Sequence, residues 1–452
     1  MPSVFIKTYG CQMNERDSEA VAAQFLARGY SLAPNEAAAD VVLLNTCSVR
    51  DAAEQKALGK MTQVAAKARK RGRNVVLGFL GCMAQSHGEM LLRETPGVRL
   101  VLGTQKLHRA AEFAEALRAG QSTSVCEVGE EPGSEAHIRE HLLDFAGAAR
   151  PVTAYVSIMQ GCNQRCTFCI VPQTRGGERS RSIEDVVDEC RVLAERGVRE
   201  VSLLGQIVTS YGRRELSGLD GKTPFVQLLE AVHAVPGIER IRFTSPHPKG
   251  YGDDLVAAYT RLPRLCSSAH LPAQSGSDRI LKLMHRGYTR AGYLDLVGKL
   301  RAARPDMGLT TDLIVGFPGE TEADFAATLD LVRAAAFDNA FVFKYSPRRG
   351  TPAASLPGAL PTAEIEARHA RLLEEVNRVS QEHLERLIGR RLAVLVEGPS
   401  RKNPARLEGR TSCNRIVVFE GASRHVGQVL DLQILRASAT TLYGDPAILN
   451  PA

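Results

Sequence analysis

The stretch "GCNQRCTFCIVP" (161–172) places Cys162, Cys166 and Cys169 within eight residues, in a CxxxCxxC pattern. Thiolates at such spacing are metal ligands. A disulfide framework favours even numbers of cysteines, and a structural zinc site takes four ligands, of which this loop offers three. A [4Fe–4S] cluster is held by cysteines, and three of them leave one iron open to a cofactor or substrate. An electron-transfer ferredoxin would supply a fourth cysteine and bury the cluster. Three more cysteines, Cys11, Cys47 and Cys82, each close an apolar run, in "SVFIKTYGC", "DVVLLNTC" and "NVVLGFLGC". One such residue reads as a small buried hydrophobe. Three at equivalent positions read as a second shared metal site.

These positions set demands on the fold. Each of the three N-terminal runs is followed by a helical pattern, as in "NERDSEAVAAQFLARGY", and a fourth run, "VRLVLG", continues the series. Apolar strands alternating with amphipathic helices indicate parallel βαβ units. Their carboxyl ends share one edge, where ligands bind, so Cys11, Cys47 and Cys82 are expected to meet. A second series, "TAYVSIMQG", "EVSLLGQIV", "RIRFTSP", "SSAHLPA", "GLTTDLIVG" and "NAFVFKYS", predicts six βα units in a partial barrel. Such barrels carry chemistry at the C-terminal face, where Gln206, Ser245, Gln274, Ser275, Asp312 and Tyr345 fall. From about residue 386 the pattern is short strands and glycine turns, a small β-barrel carrying Arg390, Arg391, Arg401, Lys402, Arg406, Arg410 and Arg415. Its size and charge fit an oligonucleotide-binding module.

The expected fold class is therefore α/β, with a parallel α/β sheet over 1–120, a polar linker over 121–150, a partial (β/α)6 barrel over 151–385 and a small β-barrel over 386–452. Its 57 basic against 50 acidic residues give a net charge of +7, in keeping with a polyanionic partner. No stretch reaches the length of a membrane span and the N-terminus has no signal-like segment, so a cytoplasmic enzyme without a membrane partner is expected. Clustered cysteines in a reducing compartment point to metal or catalysis. Cys126, Cys190, Cys266 and Cys413 have no partner pattern and read as packing.

The CxxxCxxC loop followed by six βα units resembles the radical S-adenosylmethionine enzymes. The motifs "TYGCQMNERDSE", "NTCSVRDAAEQK", "GCMAQ", "RIRFTSPHP", "HLPAQSGSDRILKLMHRGYT", "TDLIVGFPGET" and "YSPRRGTPAA" resemble the methylthiotransferases of that superfamily, and "EGRTSCNRIVVFEG" resembles their TRAM domain. "LLGQIVTSYG" departs from the pattern at Ile207 and Thr209, where asparagines are usual. The resemblance implies that Cys162, Cys166 and Cys169 ligate the radical-generating cluster and that Cys11, Cys47 and Cys82 ligate a second [4Fe–4S] cluster. It implies S-adenosylmethionine as radical source and methyl donor, with Gly176, Gly177, Gln206, Gln274, Ser275 and Asp312 as cofactor-pocket candidates. Arg175, Arg179 and Arg181 are read either as phosphate contacts or as ion pairs. The expected reaction is methylthiolation of C2 of N6-isopentenyladenosine at position 37 of tRNA. The partners would be the tRNA anticodon stem-loop and a reductant such as flavodoxin or ferredoxin, and the chain is expected to act as a monomer. An aspartate of ribosomal protein S12, or threonylcarbamoyl-adenosine in tRNA, are the alternative substrates; a non-catalytic iron–sulfur RNA-binding protein is the alternative of another class.

Overall fold

A computed structural model describes residues 1–48, 51–137, 141 and 151–446. Strands β1 (Ser3–Tyr9), β2 (Ser31–Leu32), β3 (Val41–Thr46), β4 (Val76–Leu80), β5 (Val98–Leu102) and β6 (Val125–Glu127) form one parallel sheet in the order β2-β1-β3-β4-β5-β6. Every residue of β3 and β4 is buried, because helices cover both faces. Val41 and Leu43 pack with α1 (Gln12–Ala27) on one side, while Val42 and Leu44 pack with α2 (Asp51–Lys70) on the other. A third helix, α3 (Cys82–His87), starts just past β4. The stretch 121–150, read from sequence as a linker, contributes β6 to this sheet. Cys126 pairs with Val101 there and joins the apolar layer. Three residues are too few to show an alternation.

The middle of the chain holds β7 (Thr153–Ser157), β8 (Met159–Gln160), β9 (Arg179–Ser180), β10 (Glu200–Leu204), β11 (Arg240–Phe243), β12 (Ser268–His270), β13 (Gly308–Val315) and β14 (Asn339–Lys344). Parallel sheets β11-β10-β7 and β12-β13-β14 are joined by a bridge between Ile241 and Leu265. Six parallel strands thus run β7-β10-β11-β12-β13-β14, and among the described residues no pairing of β14 with β7 closes the ring. β8 and β9 form a short antiparallel pair that brackets the CxxxCxxC loop. Along β13, Leu309, Thr311, Leu313 and Val315 are buried, while Thr310, Asp312 and Ile314 line an internal cavity.

Strands β15 (Arg391–Pro399), β16 (Leu407–Thr411), β17 (Ile416–Phe419), β18 (Val429–Ala437) and β19 (Thr441–Pro446) close into a barrel. This barrel is not an appendage. The turn between β16 and β17 sits against the starting ends of the parallel strands. Arg242 donates to Thr411 O at 2.7 Å and Ser412 O at 2.8 Å while its Nε holds Glu200 at 2.8 Å. Arg240 donates to Arg410 O at 2.6 Å. A Cβ at Gly308 would lie 2.2 Å from Cys413 O, so only glycine admits the turn. Buried Arg415 pairs with buried Asp338 at 2.7 Å.

Removing one member of a buried pair strands the other charge. Arg415→Met should therefore cost about 3–5 kcal/mol, measured as a lower denaturant midpoint. An unchanged midpoint would refute this account of the docking.

Candidate iron–sulfur centre

Cys11 precedes α1, Cys47 follows β3 directly and Cys82 opens α3. The sheet register brings them together: Tyr9 lies opposite Thr46, and Asn45 opposite Leu80. Glycines permit the close approach. A Cβ at Gly10 would come within 2.8 Å of Cys47 Cβ, and one at Gly81, whose φ is +85°, within 2.2 Å of Asn45 Oδ1. Asn14 and Asn45, both fully buried, lock the turns, with Asn14 Nδ2 donating to Asn45 Oδ1 and Asn45 Nδ2 to Asn14 O, each at 2.9 Å.

Hydrogen bonding with Cys47 is the chief cause that pulls the Cys11 thiol down to about 6. Burial opposes this shift, while the Arg175 charge and the Asn14 and Met13 amides add to it. Burial pushes the Cys82 thiol up, and Arg175 offsets part of that. Arg175 reaches this place from the helix Val171–Arg175, which follows the CxxxCxxC loop, and pairs with Asp17 at 2.7 Å.

The loop itself is braced from several sides. Gly161, at φ +82°, is so close to the next turn that a Cβ would lie 1.9 Å from Gly177 O. Its N–H donates to Gln206 Oε1, and Cys162 N donates to Gly176 O at 3.0 Å. Thr167 Oγ1 donates to Leu283 O at 2.8 Å, and Arg286 Nη1 to Cys166 Sγ at 3.3 Å. Burial first, then the neighbouring thiols, pushes Cys162 up to about 12; burial likewise pushes Cys169 up to about 11. All ten cysteines are free thiols. Among the described residues no three His, Cys, Asp or Glu side chains are grouped as a site for one metal ion.

A cavity of about 1210 Å³ joins the parts. Cys11 and Cys47 line it from the N-terminal sheet, Cys169 from the loop, Ser245, Gln274, Asp312 and Tyr345 from the barrel, and Arg410, Cys413 and Asn414 from the C-terminal barrel. Gln274 and Ser245 hold left-handed backbone, at φ +68° and +57°, the kind of strain that collects at functional sites. Ser275 is buried behind this wall beside Thr328. Gly176, Gly177 and Gln206 are outside the lining and support the loop.

Three readings of the arginines resolve to ion pairs: Arg175 with Asp17, Arg179 with Glu135 at 3.0 Å and Arg181 with Glu189 at 2.5 Å. In the tail, Arg401 pairs loosely with Glu408 at 3.8 Å, Arg406 with Glu420, Arg410 with Glu397 and Arg415 with Asp338, whereas Arg390, Arg391 and Lys402 are exposed. Ile207 and Thr209 are buried, and Thr209 Oγ1 accepts from His247 N at 3.1 Å, so both serve packing. Asp17 falls inside "TYGCQMNERDSE", His270 and Arg286 inside "HLPAQSGSDRILKLMHRGYT" and Phe341 inside "NAFVFKYS", but sequence reasoning assigned none of the four a role.

The residues present fit iron–sulfur clusters. Each triad offers soft sulfur donors that no disulfide ties up. Beside the N-terminal triad, Arg175 Nη1 is buried without a hydrogen-bond partner, which suits an anionic group there.

The contrast in acidity is testable on the iron-free chain, because thiolate is the nucleophile. Iodoacetamide should label Cys11 at neutral pH, with a rate that climbs through about pH 6 and then levels, while Cys162 and Cys169 stay unlabelled. Cys47→Ala should move the Cys11 midpoint upward. A wild-type midpoint near the ordinary 9 would refute the cause assigned.

Residues 156–332 match the radical SAM superfamily, 3–103 the uncharacterized protein family UPF0004, and 385–447 the TRAM domain. A tRNA-2-methylthio-N(6)-dimethylallyladenosine synthase of Opitutus terrae is 53% identical over 98% of this chain and 97% of its own length. Those of Akkermansia muciniphila and Methylacidiphilum infernorum are 53% and 49% identical, each over 99% of this chain, and over 99% and 95% of their own. The radical S-adenosylmethionine methyltransferase TsrM of Kitasatospora setae shares the fold, with a TM-score of 0.58 at 14% identity over 78% of this chain and 77% of its own. The three matched regions, in this order around one cavity, and the full-length identity place the chain in the family of radical SAM tRNA-2-methylthio-N(6)-dimethylallyladenosine synthases.

Proposed function

We propose that this chain methylthiolates C2 of N6-isopentenyladenosine at position 37 of tRNA. One observation carries the reading: the CxxxCxxC loop, the N-terminal cysteine turns and the C-terminal barrel wall the same cavity. Cys162, Cys166 and Cys169 would hold one [4Fe–4S] cluster, and Cys11, Cys47 and Cys82 a second. Bound with S-adenosylmethionine, such a centre supplies the carbon radical that an unactivated C2–H bond requires.

The protein's own residues supply placement. Gly176, Gly177 and Gln206 keep the loop in register, and Gln274 and Asp312 present polar groups to the cofactor, with Ser275 behind them. Phe341 is 48% exposed on β14 and meets the His270 ring edge-on at 6.1 Å. It offers a face on which a splayed anticodon-loop base can stack, as RNA bases do on aromatic side chains. Val342 and Leu442 add uncharged lining, in keeping with an apolar prenyl tail. Arg390, Arg391 and Lys402 would meet RNA phosphates. Among the described residues no helix is long and apolar enough to cross a membrane. The reading includes a monomer acting in the cytoplasm with a flavodoxin or ferredoxin as reductant.

The cysteine sets separate the two roles. Replacing Cys162, Cys166 and Cys169 with Ala should abolish deoxyadenosine release from S-adenosylmethionine while leaving iron at the N-terminal site. Replacing Cys11, Cys47 and Cys82 should keep that release and abolish methylthiolated product. Offered isopentenylated, threonylcarbamoylated and unmodified anticodon stem-loops, with the ribosomal protein alongside, the reconstituted enzyme should modify the first. Preference for another substrate would overturn the reading.

Replacing Arg390, Arg391 and Lys402 with Ala should weaken tRNA binding. It should also flatten the plot of log affinity against log salt by about 0.7–0.9 for each phosphate no longer neutralised. Equal slopes would remove the tail from the RNA interface. These exposed positions make a cleaner test than truncation near residue 386, which would strip Arg240 and Arg242 of the tail carbonyls they donate to.

A further inference from the structure

We propose that Arg175 is a positioning residue for the N-terminal cluster, delivered from the loop that carries the other triad; this rests on the two-cluster reading above. The helix Val171–Arg175 begins two residues past Cys169, and the next residue's carbonyl, Gly176 O, accepts from Cys162 N at 3.0 Å. Arg175 is thus fixed to the first triad by bonds on either side of it. Its side chain belongs to the other domain. Nη2 meets Asp17 Oδ2 at 2.7 Å, on the helix that Cys11 precedes, and both residues are buried, at 3% and 0% exposure. Thr104 Oγ1 donates to Thr174 O at 2.8 Å, so the backbone is tied across the same seam.

One carboxylate does not use up this guanidinium. Nη1 is buried with no hydrogen-bond partner, and a buried donor left unpaired is costly unless it serves a ligand. The charge bears on both Cys11 and Cys82. An arginine stays protonated at any working pH, so it is a permanent cation set against thiolate ligands and the net negative charge of the cluster they would hold. Such a cation favours the reduced, more negative form of the cluster. It also places that cluster relative to the first triad, because the five-residue helix and the glycine that ends it carry both contacts.

The test uses the chain with Cys162, Cys166 and Cys169 replaced by Ala, so that only the N-terminal cluster gives a signal. After anaerobic reconstitution, an EPR-monitored redox titration compares this parent with Arg175→Lys and with the paired variant Arg175→Met, Asp17→Leu. The paired change removes both charges and leaves no carboxylate stranded. The paired variant should titrate at a more negative potential than the parent, and Arg175→Lys should return most of the way. If the paired variant holds no iron, Arg175→Gln with Asp17 kept takes its place in the same titration. A loaded cluster whose potential is the same in all variants overturns this inference alone. A parent with no iron at Cys11, Cys47 and Cys82 overturns both it and the two-cluster reading.

Discussion

The ion pair between Arg175 and Asp17 holds the arrangement on which everything else depends, because it joins the two cysteine-bearing regions where water does not reach. It is one of a set. Glu189 on the barrel helix Ile183–Glu195 gathers Arg181 from the barrel, Arg16 from α1 and His141 from the segment between them, at 2.5, 3.5 and 2.8 Å. Arg415 with Asp338 does the same at the opposite end, where Arg242, paired with Glu200 in its own barrel, donates to Thr411 O and Ser412 O. Burying charges in this way gains little stability, since desolvation consumes most of the attraction. Its effect is on geometry. A charge that is costly to leave unpaired accepts one docking arrangement, whereas a greasy interface tolerates sliding.

That specificity matters because the cavity belongs to no single region. Its floor is the β16–β17 turn seated against the strand starts, and its roof is the two sets of cysteine turns. The parallel barrel leaves β14 as an open edge, and there Phe341 stands exposed beside His270. A closed ring of eight strands would fill its interior with side chains. Six strands leave the ring unclosed, and its cavity is lined by the neighbouring regions as well. A large substrate could bring one base into such a space while the rest of it stays outside.

Much of this was legible in the sequence. The buried strands are continuous apolar runs because both faces of a parallel sheet are covered, and the cysteines mark the strand ends directly. The six units of the middle region followed from apolar strands alternating with helices, and the small barrel from short strands set between glycine turns. The interfaces were not legible. Arg175, Arg179 and Arg181 in "TRGGERSR" have the composition of a phosphate-binding surface, and nothing local shows that Asp17, Glu135 and Glu189 lie opposite them. Charge pairs separated by 158 residues, as Arg175 and Asp17 are, depend on domain packing. The same limit hid the role of the tail arginines, four of which have acidic partners. It also hid β6, whose pairing to β5 is defined by its neighbour.

The two triads also differ in how they are prepared for metal. In the N-terminal set a helix start, a neighbouring thiol and a fixed guanidinium combine to make Cys11 a thiolate at neutral pH. In the loop, burial dominates, and Cys162 and Cys169 keep their protons. A thiolate is the ligand in both cases, so binding at the loop must release protons that binding at Cys11 need not, and the charge of the metal has to drive that release. Arg286, donating to Cys166 Sγ, brings a cation to the loop's thiols. The asymmetry rests on Cys11 alone. Its neighbour Cys47 is the chief cause of its acidity, whereas Cys82, buried like the loop thiols, is pushed up as they are, and the amides of Gln164 and Val171 do not outweigh burial at Cys162 and Cys169.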